Sequence, residues 1–191
     1  MKRGFKAQCE RRSIEIRRQI GLGETECLIA NDVATLYSTS VISADKIPGL
    51  SEKSANQLFN IDQENWAAFT LKKRNHSMIV YRPVSSHARV NSVTMHELSH
   101  IILGHTFASI QTSHEGHMII DNYNQEQEDE ADWLASTLLL PRPALLSVKQ
   151  KRLADTVICQ KYLVSLQMLQ WRVRMTGIEH QIRHSQAKKN H

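Results

Sequence analysis

Two histidines four residues apart with a glutamate directly after the first, His96-Glu97-Leu98-Ser99-His100, form the stretch of this sequence best equipped for chemistry. If the run is helical, positions i and i+4 lie one turn apart and about 40° apart in angle, so both imidazoles aim at one point. Two neutral imidazoles converging in this way make a metal site. Glu97 is too close in the chain to share the metal comfortably with both histidines, but it is well placed to take a proton from a water held there. On the other side of the same run, Met95, Leu98 and Ile102 form an apolar stripe that packs the helix into a core, and Gly104 offers a C-terminal stop.

The competing reading is a plain helix with two surface histidines, in a chain that carries 10 His among 191 residues. A third ligand separates the two readings. One is available in Glu126-Gln127-Glu128-Asp129-Glu130-Ala131-Asp132, where Glu128 and Asp132 stand at i and i+4 of a second helix. Glu128 completes a His-His-Glu set, and Asp132 can accept the free ring N–H of a ligand histidine and so fix its tautomer. Glu126 and Glu130 point about 160° away from Glu128 around that helix, which makes them weaker candidates. His105 falls out of register for the longer H-E-x-x-H-x-x-G-x-x-H pattern because Gly104 precedes it directly. It reads instead as a polar residue at the negative end of the helix dipole.

On these residues the chain resembles the ImmA/IrrE family of metallo-endopeptidases. The likeness is carried by residues 88–105 (ARVNSVTMHELSHIILGH) and 125–141 (QEQEDEADWLASTLLLP), with a looser similarity from Gly4-Phe5-Lys6 to Trp171-Arg172. The resemblance implies an α+β, zincin-like fold and a single zinc ion (Zn2+) held by His96, His100 and Glu128, with Glu97 as the catalytic general base. It also implies a cytoplasmic regulatory role and a protein substrate, a helix-turn-helix repressor of a mobile element or stress response. Arg89 falls on a family position and could pair with an acidic group near the site. Two other classes of function stay open. One is a non-hydrolytic regulator that binds and displaces a repressor and keeps the metal for structure; the intact Glu97 argues against it, because a scaffold needs no base there. The other is a DNA-binding transcription regulator.

The elements that must position these residues are legible only in outline. With 41% hydrophobic and 23% charged residues, the chain is an ordinary globular protein, long enough for a real core. Cys9, Cys27 and Cys159 are odd in number and widely spaced, which fits a reducing compartment and implies neither a disulfide framework nor a cysteine zinc site. No apolar run is long enough to cross a bilayer, so the cytoplasm is the expected location and no membrane partner is expected. A net charge of +5 from scattered Lys and Arg is weak support for direct nucleic-acid binding.

The pattern predicts helices over residues 5–20, with Arg11, Arg12, Arg17 and Arg18 on a solvated face, over 26–37, and after a Ser51 cap. Val41-Ile42 is a short strand candidate. A hairpin follows, with strands over 66–71 and 77–81, and by resemblance its first strand edges the substrate cleft through Trp66, Ala67, Ala68 and Phe69. Residues 83–91 read as a loop leading into the motif helix. His114, Glu115 and His117 read as loop, as a second metal pair at His114 and His117, or, with Tyr123, as oxyanion partners; residues 117–123 read as a strand. The second helix runs from about Glu126 to Leu140. Helices over 153–162 and 166–174, broken at Val164-Ser165, are spaced like a helix-turn-helix, although plain helical packing explains them equally well. The expected organisation is an N-terminal helical part (1–62) joined to a metallopeptidase core (63–145), C-terminal helices (146–178) and a basic tail (179–191).

Overall fold

The computed structural model describes residues 1–62, 64–74, 76–83, 86–106, 109–112, 118–121 and 124–187. Helix α1 spans Phe5–Gln19 and helix α2 spans Ala30–Leu36, followed by strand β1 at Thr39–Ser43. A short helix α3 (Glu52–Asn56), capped by the Ser51 hydroxyl, runs on into a wider π turn at Gln57–Ile61. Strands β2 (Ala68–Lys73) and β3 (His76–Tyr81) form the hairpin, and helix α4 (His87–Leu103) carries the motif. A two-stranded ribbon, β4 (Ser109–Thr112) and β5 (Met118–Asp121), precedes α5 (Gln125–Leu139). Helices α6 (Arg142–Gln150), α7 (Asp155–Tyr162), α8 (Leu166–Thr176) and α9 (Ile178–Ala187) complete the chain.

Helices α4 and α5 form the pair on which the site is built. Met95 and Leu98 of α4 are fully buried against Leu134 and Leu138 of α5, Val33 of α2 and Ile79 of β3, within one continuous core. The apolar stripe of α4 is therefore held from three sides, and burial of such side chains contributes about 1.5–3 kcal/mol each. Ser86 caps α4 by accepting from Arg89 N, and Gly104, at φ 69°, supplies the left-handed residue that closes it. Asn124 caps α5, its Oδ1 accepting from Glu126 N and Gln127 N.

The three-stranded sheet has the order β1-β3-β2, with β1 parallel and β2 antiparallel to β3. β2 is thus an edge strand, and it lies on the motif side, where Thr70 meets Glu97. Ala68 pairs with Tyr81 and Lys73 with His76, so the strand starts two residues later than expected. Trp66 and Ala67 stand just before it. The Trp66 indole donates to Leu58 O and so anchors the start of the hairpin to the π turn.

Several other expectations are corrected by long-range contacts. Residues 87–91 are helical rather than loop, because Asn91, which locally favours a break, uses its Oδ1 to accept from Ala30 N across the core. Arg17 is not solvated: it is fully buried and donates to Ser13 O, Ser13 Oγ, Glu26 O and Leu138 O. Burial pulls its pKa down to about 10, which leaves it cationic near neutral pH. Arg172 of α8 does a parallel job, donating to Leu140 O and pairing with Glu10 at 2.7 Å. Two buried guanidiniums thus sit on carbonyls at the C-terminal end of α5. Helix α9 occupies much of the expected basic tail, tied down by the buried Ile178 and by Arg142, which donates to Thr176 O and Gln181 Oε1. Between α4 and α5 one strand was expected, and β4 pairs with β5 from Ser109↔Asp121 to Thr112↔Met118.

Candidate metal centre

α4 presents His96 and His100 on one face, one turn apart, and α5 brings Glu128 up to them. A ligand atom from each of the three lies within 4.8 Å of the other two. His96 Nε2 is 3.1 Å from His100 Nε2 and 3.2 Å from Glu128 Oε2, and His100 Nε2 is 3.6 Å from Glu128 Oε1. A tetrahedral zinc with bonds of about 2.0–2.1 Å separates its ligands by roughly 3.3 Å, so these spacings match that geometry. The donor chemistry matches as well. Two ring nitrogens facing each other repel unless a proton or a cation lies between them, and the carboxylate beside them adds the negative charge that favours a cation.

The remaining ring nitrogens are also engaged. Asp132 Oδ1 lies 2.8 Å from His96 Nδ1, one turn beyond Glu128 on α5, which keeps the proton on Nδ1 and the Nε2 lone pair toward the cluster. Burial acts to lower the His96 pKa, but the Asp132 hydrogen bond and charge, together with Glu97 and Glu128, leave it raised. His100 Nδ1 lies 3.0 Å from His105 Nδ1. For His100 Nε2 to act as a ligand, the proton sits on His100 Nδ1 and is donated to His105, which then carries its own proton on Nε2. That atom lies 3.4 Å from Glu130 Oε2, a charge contact rather than an aligned hydrogen bond. Burial first, then the neighbouring His96 and His105, pushes the His100 pKa down to about 4, so the ring is neutral near neutral pH.

Glu97 is half-buried, and burial raises its carboxyl pKa; the Thr70 hydroxyl, donating to Oε2 at 2.6 Å, and the nearby His96 partly counter that. Oε1 is the oxygen that Thr70 leaves open. Sequence reasoning missed Thr70 and gave His105 and Glu130 only minor places. Thr70 follows Phe69 in a strand whose register was not known, and Glu130 was set aside for pointing away from Glu128, yet that direction leads it to the nearly buried His105. Glu126 contacts the Met1 amino group at 2.6 Å and takes no part in the cluster. Arg89 is exposed and makes no ion pair among the described residues. His114, His117 and Tyr123 lie outside the described residues.

A motif helix beside a small mixed sheet, with a glutamate brought to its two histidines by the next helix, defines an α+β fold of the zincin-like kind. Residues 53–174 match the peptidase family described as the IrrE N-terminal-like domain, and the chain belongs to that family. Among solved structures the chain is similar to a Mycobacterium tuberculosis transcriptional regulator, with a TM-score of 0.51 and 15% identity over 91% of this chain. The aligned part is 47% of that regulator, so this chain spans about half its length, and at this identity the likeness is one of fold. No curated protein sequence matches the chain. Among the described residues, no helix is long and apolar enough to cross a membrane.

Proposed function

We propose that this protein is a zinc-dependent endopeptidase that cuts a regulatory protein in the cytoplasm, a helix-turn-helix repressor of a mobile element or stress response. The observation that carries this reading is the placement of Glu97 beside the His96–His100–Glu128 cluster, with one oxygen tethered by Thr70 and the other open. His96, His100 and Glu128 would hold the ion, and Asp132 would orient His96. When bound, zinc supplies a Lewis acid that polarises the scissile carbonyl and acidifies the attacking water. Glu97 Oε1 would take a proton from the attacking water as its oxygen bonds to the carbonyl carbon, and would return that proton to the amine nitrogen as the peptide C–N bond then breaks. Burial raises the Glu97 pKa, which makes its carboxylate a stronger base for the first of these transfers. The edge of β2, from Ala68 and Phe69 onward, would take an extended substrate by backbone pairing, with Trp66 and Ala67 at its entry.

The rival reading is a metal-containing regulator that displaces a repressor without cutting it. DNA reading by α7 and α8 is disfavoured, because Arg172 of α8 is buried on Glu10. The experiment is to incubate the zinc-loaded protein and Glu97→Gln with a candidate helix-turn-helix repressor bound to its DNA site, following cleavage and DNA release separately. The proposal expects cleavage that the variant loses with its metal content unchanged. Release of DNA that persists undiminished in Glu97→Gln, with no cut, selects the displacement mechanism instead.

A further inference from the structure

A second pair of histidines faces solvent on α9, one helical turn apart. His180 and His184 are both exposed, their rings meet edge to face with centroids 4.3 Å apart, and their Nε2 atoms lie 3.2 Å from each other. The corresponding Nε2–Nε2 distance between His96 and His100 in the metal centre is 3.1 Å. Both pairs have the i, i+4 spacing that brings two rings to one point on a helix. His180 and His184 fall beyond residues 53–174, so the family match does not account for the second pair.

The helix that carries the pair is held without it. Ile178 is fully buried and Ile182 packs against the core, while Arg142 donates to Thr176 O just before α9 and to Gln181 Oε1 within it. At 100° per residue His180 and His184 point roughly 160° away from Ile178 and Ile182, so the two rings stand on the outer face of a helix already anchored. Exposed imidazoles can bond to water, so neither ring needs the other to be satisfied. With both rings neutral, the Nε2–H of one can donate to Nε2 of the other. With both protons on Nδ1 instead, two Nε2 lone pairs converge on a point open to solvent.

That second arrangement is a bidentate chelate. Nitrogen ligands about 2.0–2.1 Å from a metal stand roughly 3 Å from one another, so the pair needs little rearrangement to take an ion. We propose that His180 and His184 form a second metal site, an exposed two-imidazole chelate for a late first-row divalent cation, with water in the remaining positions. Imidazole nitrogens suit copper, nickel and zinc, and of these Cu2+ binds a given nitrogen site most tightly. Mg2+ and Ca2+ require oxygen ligands and do not compete. The site is separate from the His96–His100–Glu128 centre and does not depend on the proposed peptidase activity.

The test is a titration of the isotope-labelled, zinc-loaded full chain with Cu2+, read by paramagnetic broadening of backbone amide signals. Saturable loss of the amides of residues 179–184 is expected, and Mg2+ at the same concentration should not reverse it. His180→Ala and His184→Ala are substitutions at exposed positions of an anchored helix, and unchanged amide shifts elsewhere show that each variant is folded. Each should raise the copper needed about tenfold or more, and the double variant little further, because one imidazole alone forfeits the gain of a linked second ligand. No saturable loss at residues 179–184 would leave a pair joined only by its own hydrogen bond and overturn the proposal. An equal loss in either single variant would place the copper elsewhere and overturn it too.

Discussion

Thr70 Oγ1 donates to Glu97 Oε2 at 2.6 Å, so the edge strand β2 and the motif helix α4 are joined at the carboxylate proposed to move a proton. The bond fixes which oxygen of Glu97 is free, and it connects the strand proposed to hold substrate to the group proposed to act on it. Thr70→Val keeps the shape of the side chain and removes the donor. A hydrogen bond to a charged group contributes about 1.5–3 kcal/mol, so cleavage should slow by roughly tenfold to a hundredfold while bound zinc stays the same. Thr70→Ser should recover most of the rate. Rates and metal content measured on the same preparations check this, and a full rate in Thr70→Val would remove Thr70 from the mechanism.

The metal ligands are predicted to depend on residues that do not touch the ion. Glu128→Ala should abolish stoichiometric zinc, whereas Asp132→Ala and His105→Phe should retain it with affinity reduced about 10- to 100-fold, because each loses the partner that orients a ligand imidazole. Competition against a chelator of known affinity reads the difference. Zinc undiminished in Glu128→Ala would shift attention to Glu130 and His105, whose 3.4 Å contact already lies beside His100. Stripping the metal should lower the melting temperature of the wild type by more than that of Glu128→Ala.

Arg17 tests the core rather than the site. Its guanidinium is the shared partner of carbonyls from α1, from the loop after it and from the end of α5. Arg17→Met fills part of the volume but leaves those acceptors buried and unpaired, and should cost about 3 kcal/mol or more in urea unfolding at unchanged slope. A loss below about 1 kcal/mol would mean that water reaches those carbonyls.

What the sequence discloses follows the range of the interactions. His96 and His100 are set by one helical turn, and Glu128 and Asp132 by another, so each half of the centre is legible locally; that the halves meet is an inference from the chemistry of a missing third ligand. Thr70 joins the site, and Glu130 meets His105, through contacts that no local period encodes. The same holds for the fold. Asn91 and Arg17 read as a loop former and a surface charge because their partners, Ala30 N and Leu138 O, are 61 and 121 residues away in the chain. β2 starts two residues later than the apolar pattern suggests, and Trp66 is instead bonded to the π turn, a feature that propensity does not anticipate.

The edge position of β2 leads to a prediction about substrate form. A segment that pairs with β2 must be extended over several residues, since backbone pairing repeats at the strand period and a helix has no free N–H or C=O in its middle to offer. A folded helix-turn-helix repressor contains few such segments. Cleavage should therefore fall in a linker or a locally opened region, and the rate on the intact repressor should be limited by the population of the open form. A peptide spanning the cut is already open and should be cleaved faster, by a factor that grows as the repressor is stabilised, for instance by its DNA site. Such gating would confine the proposed peptidase to targets that have been loosened. Mass-spectrometric mapping of the cut, with rates on free repressor, DNA-bound repressor and peptide, checks each step. A cut in the middle of a stable helix, or equal rates on peptide and folded repressor, would show that β2 does not select extended chains.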